Sequence, residues 1–138
     1  MRRIAIRDEW WRGQDALKAA KLCLDAGLCA DAVSRAYYAV MHAAKAALLT
    51  RDVVAESHGA VRRLFGQALV QPGEIEPEWA RILAAEQDLR ITADYGSSVT
   101  IDQEAAARVV RDAARFAERM AAYLAASGVS LEEPHEGA

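Results

Sequence analysis

The stretch SRAYYAVMHAAKAALL, Ser34 to Leu49, constrains the fold of this chain more than any other. Alanine supplies six of its sixteen positions and 31 of the 138 in the whole sequence. It is the best helix former and is depleted in strands, so the composition points to closely spaced helices. At about 100° per residue, Asp31, Arg35, Tyr38 and His42 fall along one stripe, continued by Lys45 and Leu49. Tyr37, Met41, Ala44 and Leu48 form a second stripe. Ala36, Val40, Ala43 and Ala47 form a third, where a neighbouring backbone can come close. No face is left for water, so this is expected to be the central helix of a bundle. Burying a guanidinium alone costs several kcal/mol, so Arg35 needs an acceptor; Asp31 one turn earlier is one candidate, and Tyr38 adds a polar tip that can join the network. Two readings stand: a satisfied polar seam that fixes helix register, or a cleft or dimer interface that meets an anionic ligand.

The remaining segments read as helices punctuated by short breaks. A first helix is expected from about Asp8 to Ala26, ended by Gly27 in a left-handed cap, and the central one from about Ala30 to Thr50. Ser57 can cap a third, His58 to Val70, and Pro77 suits the first position of a fourth that runs to about Ala93. Thr100 with Gln103 resembles a capping box for a fifth, Ile101 to Ala126, stopped by Gly128. The fold class is therefore all-α, an antiparallel up-and-down bundle of four to five helices. It is expected to form one domain over 1–127, with a flexible acidic tail over 128–138.

A formal net charge of −3 argues against a generic charge-driven nucleic-acid binder, though not against a local basic site. Cys23 and Cys29 match no redox or zinc spacing, and His42, His58 and His135 are scattered, so neither a metal nor another cofactor is expected. The N-terminus lacks the apolar core of a signal peptide, and no run approaches the length of a membrane span, which points to the cytoplasm.

In the fourth segment, EWARILAAEQDLRITADYG, an apolar stripe of Trp79, Ile82, Leu83, Leu89 and Ala93 contains Glu86 and Arg90, with Asp94 and Tyr95 just beyond. An arginine on a core face between two carboxylates is expected to fork onto them. Arg90, Asp94 and Tyr95 then either clamp the helix end or face a ligand or second subunit. In the fifth segment Arg108, Arg111, Arg115 and Arg119 recur every three or four residues, a solvated stripe that could also meet RNA phosphates or an acidic partner.

Taken together, SRAYYAVMHAAKAALL, SHGAVRRLF and RITADYG resemble the HEPN superfamily (higher eukaryotes and prokaryotes nucleotide-binding), in its small prokaryotic members with an RAYYA-type helix and an R-x-x-x-D-Y signature. The resemblance covers roughly Trp10 to Ala126. It implies an antiparallel helical bundle that commonly forms a homodimer. It also implies frequent pairing with a minimal nucleotidyltransferase as toxin and antitoxin. In the active branch of the superfamily it implies a metal-independent endoribonuclease with an arginine, four to six residues, then a histidine. Here ITADYGSS follows Arg90, so the histidine is missing. Arg35 with His42 and Arg51 with His58 meet the spacing literally. The first pair shares a helical face and the second reads as coincidence.

The expected function is thus a HEPN component of a nucleotidyltransferase-linked toxin–antitoxin or defence module, acting as a dimer through partner or RNA binding. If it cleaves RNA, Arg35, His42, Arg90 and Tyr95 are the residues to test. The alternative is a non-catalytic nucleotide-binding or adaptor bundle in which Arg35, Tyr38, Arg90 and Asp94 hold a phosphate. A third reading is a homodimer whose polar seams only set specificity.

Overall fold

A computed structural model describes residues 2–95 and 100–133. These hold five α-helices and no strand: α1 (Arg2–Asp25), α2 (Cys29–Leu49), α3 (His58–Phe65), α4 (Pro77–Tyr95) and α5 (Gln103–Ala126). The expected all-α class is what the chain adopts. α1 starts a turn and a half before the sequence reading placed it. The extra turns continue its core stripe, Ile6, Trp10, Leu17 and Ala20, and Arg2 pairs with Asp52 at 2.9 Å. α3 ends at Phe65 and passes into a π-helical turn, Gly66–Val70, closed by the Gln71 N–H on the Gly66 carbonyl at 2.9 Å.

The helix ends follow local chemistry. Gly27, at φ +77°, closes α1: its N–H bonds Leu24 O at 3.0 Å and that of Leu28 bonds Cys23 O at 2.8 Å. Gly128, at φ +81°, closes α5 in the same way. Ser57 Oγ accepts the Ala60 N–H at 3.1 Å and caps α3. The capping box expected at Thr100 is not used. Asp102 caps α5 instead, accepting the Ala105 N–H at 2.7 Å. Gln103 is thereby free to reach across and donate to the Leu24 carbonyl at 3.1 Å.

α2 is the central helix, packed against α1, α3, α4 and α5. Contacts of Glu9 with His42 and of Arg2 with Asp52 run α1 antiparallel to α2. Contacts of Ser34 with Asp94 and of Tyr38 with Arg90 do the same for α4. Small residues set the closest approach: a Cβ on Gly13 would stand 3.2 Å from the Ala39 carbonyl oxygen. Phe65, Phe116 and Trp79 close the core below, with ring centroids 5.7 and 6.3 Å apart in the two pairs with Phe116. Fully burying a side chain of this size contributes about 1.5–3 kcal/mol. Val129 and Leu131 rest on this core. Residues 134–138 of the expected tail, His135 included, lie outside the described residues.

Candidate functional site

The expectation that α2 leaves no face for water is overturned. Asp31 and Arg35 are exposed, and Tyr38, His42 and Lys45 are half-buried. The alanine-rich faces let four helices close on α2, so its widest polar side chains are left on the open side. Arg35 therefore needs no buried acceptor, and among the described residues it forms no ion pair with Asp31. With Arg12, Asp15, Tyr38 and His42 it lines a cavity of about 390 Å³ between α1 and α2.

Beside that cavity, α4 presents Arg90. Its Nη2 donates to the Tyr38 hydroxyl at 3.1 Å, and its Nε lies 2.9 Å from Asp94 Oδ2. The guanidinium carbon stands 5.5 Å from the Tyr38 ring centroid and 5.7 Å from that of Tyr37. Ser34 Oγ donates to Asp94 Oδ1 at 2.5 Å, so α2 holds the carboxylate that orients the arginine. Asp94 engages Arg90 as expected, while neither oxygen of Glu86 has a hydrogen-bond partner among the described residues. Glu86 lies one turn earlier, at the edge of the α4–α5 groove, with its carboxyl buried. The Tyr95 side chain lies outside the described residues.

His58, which the spacing to Arg51 matches only by coincidence, joins this site instead. His58, the first residue of α3, places Nδ1 2.6 Å from the Tyr37 hydroxyl, and its ring lies 5.4 Å from that of Tyr37 and 6.3 Å from that of Tyr38. His58 and Arg90 thus flank the same two tyrosines. Burial pushes the Tyr37 hydroxyl up to about 12, partly offset by the Arg90 charge, so it stays protonated, and the imidazole tautomer sets which partner donates in this bond. With Nδ1–H as the donor, Nε2 is left with a free lone pair. Burial, then the charges of Arg90, Lys45 and His42, hold the imidazole below its ordinary value, so it is neutral at neutral pH. Arg51, its partner by spacing, turns away to Glu74 and Tyr123. The available signal was Ser57: an N-cap fixes the next residue on the first turn, here facing α2.

His42 faces the other way, its Nδ1 2.7 Å from Glu9 Oε2, with Lys45 Nζ 3.4 Å from the same carboxylate. Burial alone would raise the Glu9 carboxyl, but the His42 hydrogen bond and the Lys45 charge hold it below its usual range. The α5 arginines divide. Arg119 clasps Glu76 at 2.7 Å, and Arg115 pairs with Asp112 at 3.4 Å while stacking 5.6 Å over Trp79. Arg108 and Arg111 have no ion pair among the described residues. The two cysteines are free and half-buried.

The chemistry assembled here is an aromatic platform with a guanidinium on one side, a neutral imidazole close by, and exposed basic groups at the rim. A model of the HEPN domain matches residues 7–123. The chain is 37% identical over 107 residues to a Methanocaldococcus jannaschii protein named "Putative toxin MJ0605", covering 78% of this chain and 79% of that one. It is 35% identical over 115 residues to a Gloeobacter violaceus protein of the UPF0332 group, covering 83% and 91%. A second Methanocaldococcus jannaschii protein named as a toxin is 25% identical over 118 residues, covering 86% and 80%. No helix among the described residues is long and apolar enough to cross a membrane.

Proposed function

The chain belongs to the HEPN family, and from that premise we propose that it is the toxin-type HEPN component of a cytoplasmic toxin–antitoxin or defence module. It works as a homodimer that engages RNA, and a nucleotidyltransferase-type protein is its partner. The toxin designation of the Methanocaldococcus relatives supports the module. The observation that carries the RNA reading is the meeting of Arg90, Tyr37, Tyr38 and His58, beside the cavity lined by Arg12, Arg35 and His42. The half-buried Tyr38 can offer its face to a base, the buried Tyr37 positions His58 from behind, and arginines hold phosphates. A guanidinium can stabilise the charge of a phosphorane, and the neutral His58 imidazole, in the tautomer whose Nδ1–H donates to Tyr37, can take the proton of a 2′-hydroxyl on Nε2. His58 supplies the imidazole that the sequence after Arg90 lacks.

The test is cleavage of labelled tRNA and mRNA in EDTA by the wild type, by Arg90→Ala, by His58→Ala and by the Arg35→Ala, His42→Ala pair. Cleavage lost in Arg90→Ala and His58→Ala is the expected result. Loss confined to the Arg35, His42 pair would move the chemistry to the α1–α2 cavity. RNA bound without cleavage would favour a non-catalytic binding module. The reading fails if the protein neither binds nor cuts RNA.

A further inference from the structure

Tyr38 belongs to two environments at once. Its hydroxyl accepts the Arg90 N–H at 3.1 Å, and its side chain also lines the α1–α2 cavity of about 390 Å³ with Arg12, Asp15, Arg35 and His42. The cavity begins where the Arg90 site ends, with one tyrosine as the shared wall. Its size falls within the range of about 300–1,000 Å³ typical of ligand clefts. Arg35 stands three residues before Tyr38 on α2, which places the two side chains one helical turn apart on the same face.

The charges around the cavity are sorted. Burial pushes the Glu9 carboxyl up, but the His42 hydrogen bond and the Lys45 charge outweigh it, and the carboxylate is answered by those two groups at 2.7 and 3.4 Å. Asp94 is answered by Arg90 and Ser34. Asp15 is the carboxylate on the cavity lining. Arg12 and Arg35 are both exposed, and among the described residues neither forms an ion pair with it or with any other carboxylate. Two uncommitted guanidiniums against one carboxylate leave the cavity an excess of positive charge. His42 adds a polar edge: its Nδ1 is spent on Glu9, so Nε2 is the ring nitrogen it has left to offer. A cation is repelled there, whereas the two unesterified oxygens of a phosphate diester match the two arginines.

Resting on the RNA reading above, we propose that the α1–α2 cavity is a second subsite for the same strand: Arg90 holds one phosphate on its side of Tyr38, while Arg12 and Arg35, with His42 beside them, hold the next. The substrate class is then single-stranded RNA of at least three nucleotides, gripped at two successive phosphates. Arg12 and Arg35 are binding residues, so their loss should raise KM for cleavage and spare kcat.

The test uses 2′-O-methyl triuridylate, which has no 2′-hydroxyl to react and carries two internal phosphates, titrated into the full chain by NMR. Beside it run two versions in which one or the other linkage is a neutral methylphosphonate. In the wild type each neutral linkage is expected to weaken binding about tenfold, the loss of one charged hydrogen-bonded contact. In the Arg12→Gln, Arg35→Gln protein, whose substitutions are exposed and leave the core untouched, one linkage should become indifferent while the other keeps its effect. Arg90→Gln should silence that other linkage. The proposal is overturned if both linkages keep their effect in the Arg12, Arg35 variant, or if the two proteins silence the same one. It is overturned too if uridine 5′-monophosphate binds as tightly as the trinucleotide and with the same dependence on Arg12 and Arg35, which would make the cavity a free-nucleotide site. A wild type that binds long RNA but not the trinucleotide overturns this proposal alone, and one that binds neither removes the RNA reading with it.

Discussion

Replacing Glu86 with glutamine should stabilise the protein, and the gain should depend on pH. The Glu86 carboxyl is raised from 4.5 to about 9 by burial and by Asp112. A group whose folded value is raised contributes its full stability below its unfolded value and loses it as pH climbs through the folded one. The unfolded chain ionises Glu86 near pH 4.5, while the folded chain keeps it protonated until about pH 9. At 1.36 kcal/mol per unit, the wild type therefore loses about 3 kcal/mol between pH 4.5 and 7 through this residue alone. Glutamine keeps the shape and never ionises, so the difference between the two proteins isolates the effect from every other carboxylate. Urea unfolding at about pH 5, 6, 7 and 8 should show Glu86→Gln drawing level with the wild type at the acid end and leading by about 3 kcal/mol at pH 7. Glu86→Leu should gain more, since it also removes the unpaired polar atoms. A stability difference that stays flat across this range would refute the reasoning, because Glu86 would then ionise in the fold as readily as in the open chain.

Four further outcomes follow from the packing. Tyr37→Phe removes the hydroxyl bonded to His58 and should cost about 1 kcal/mol by urea unfolding. In the wild type the His58 ring protons should titrate below the ordinary 6.5 in an NMR series, and a midpoint above it would contradict the burial and charges described. Gly13→Val drives a side chain into the Ala39 carbonyl and His42 Cβ, and should cost about 2 kcal/mol or more, read as a lowered Tm. The Glu76–Arg119 clasp holds the carboxyl down to about 2, chiefly through hydrogen bonds from Arg119 and Trp79. That clasp is exposed, and a double-mutant cycle should return a coupling of about 1 kcal/mol or less, lost only in strong acid.

Much of the fold was legible in one dimension because it is locally coded. Alanine content, Ser57, Gly27, Pro77 and Gly128 act within a turn or two of their own positions, and each did in the chain what its chemistry demands. The exceptions are also local competitions. Asp102 outbid Thr100 for the α5 cap because its carboxylate reaches the Ala105 N–H, leaving Gln103 to bridge to α1. The candidate site was legible only in part. The periodicity of α2 placed Arg35, Tyr38 and His42 on one stripe, and the position of Arg90 among apolar residues marked it as engaged.

By itself the sequence determined the helices, their caps, the family and the residues able to do chemistry. Which side of α2 meets water was decided by tertiary structure, because a helix with apolar residues on every face has no inside until its neighbours arrive. The same is true of His58 and Arg90, 32 positions apart in the sequence, which meet only because α3 and α4 both dock on Tyr37 and Tyr38. It is true again of Glu86, whose carboxyl was expected to meet Arg90 one turn away. Arg90 instead turned to Asp94 and Tyr38 on the α2 side, where a neutral hydroxyl and an oriented carboxylate were both in reach. Glu86 was left buried near Asp112 of α5. Periodicity can say which residues share a face, but only packing says what that face looks upon.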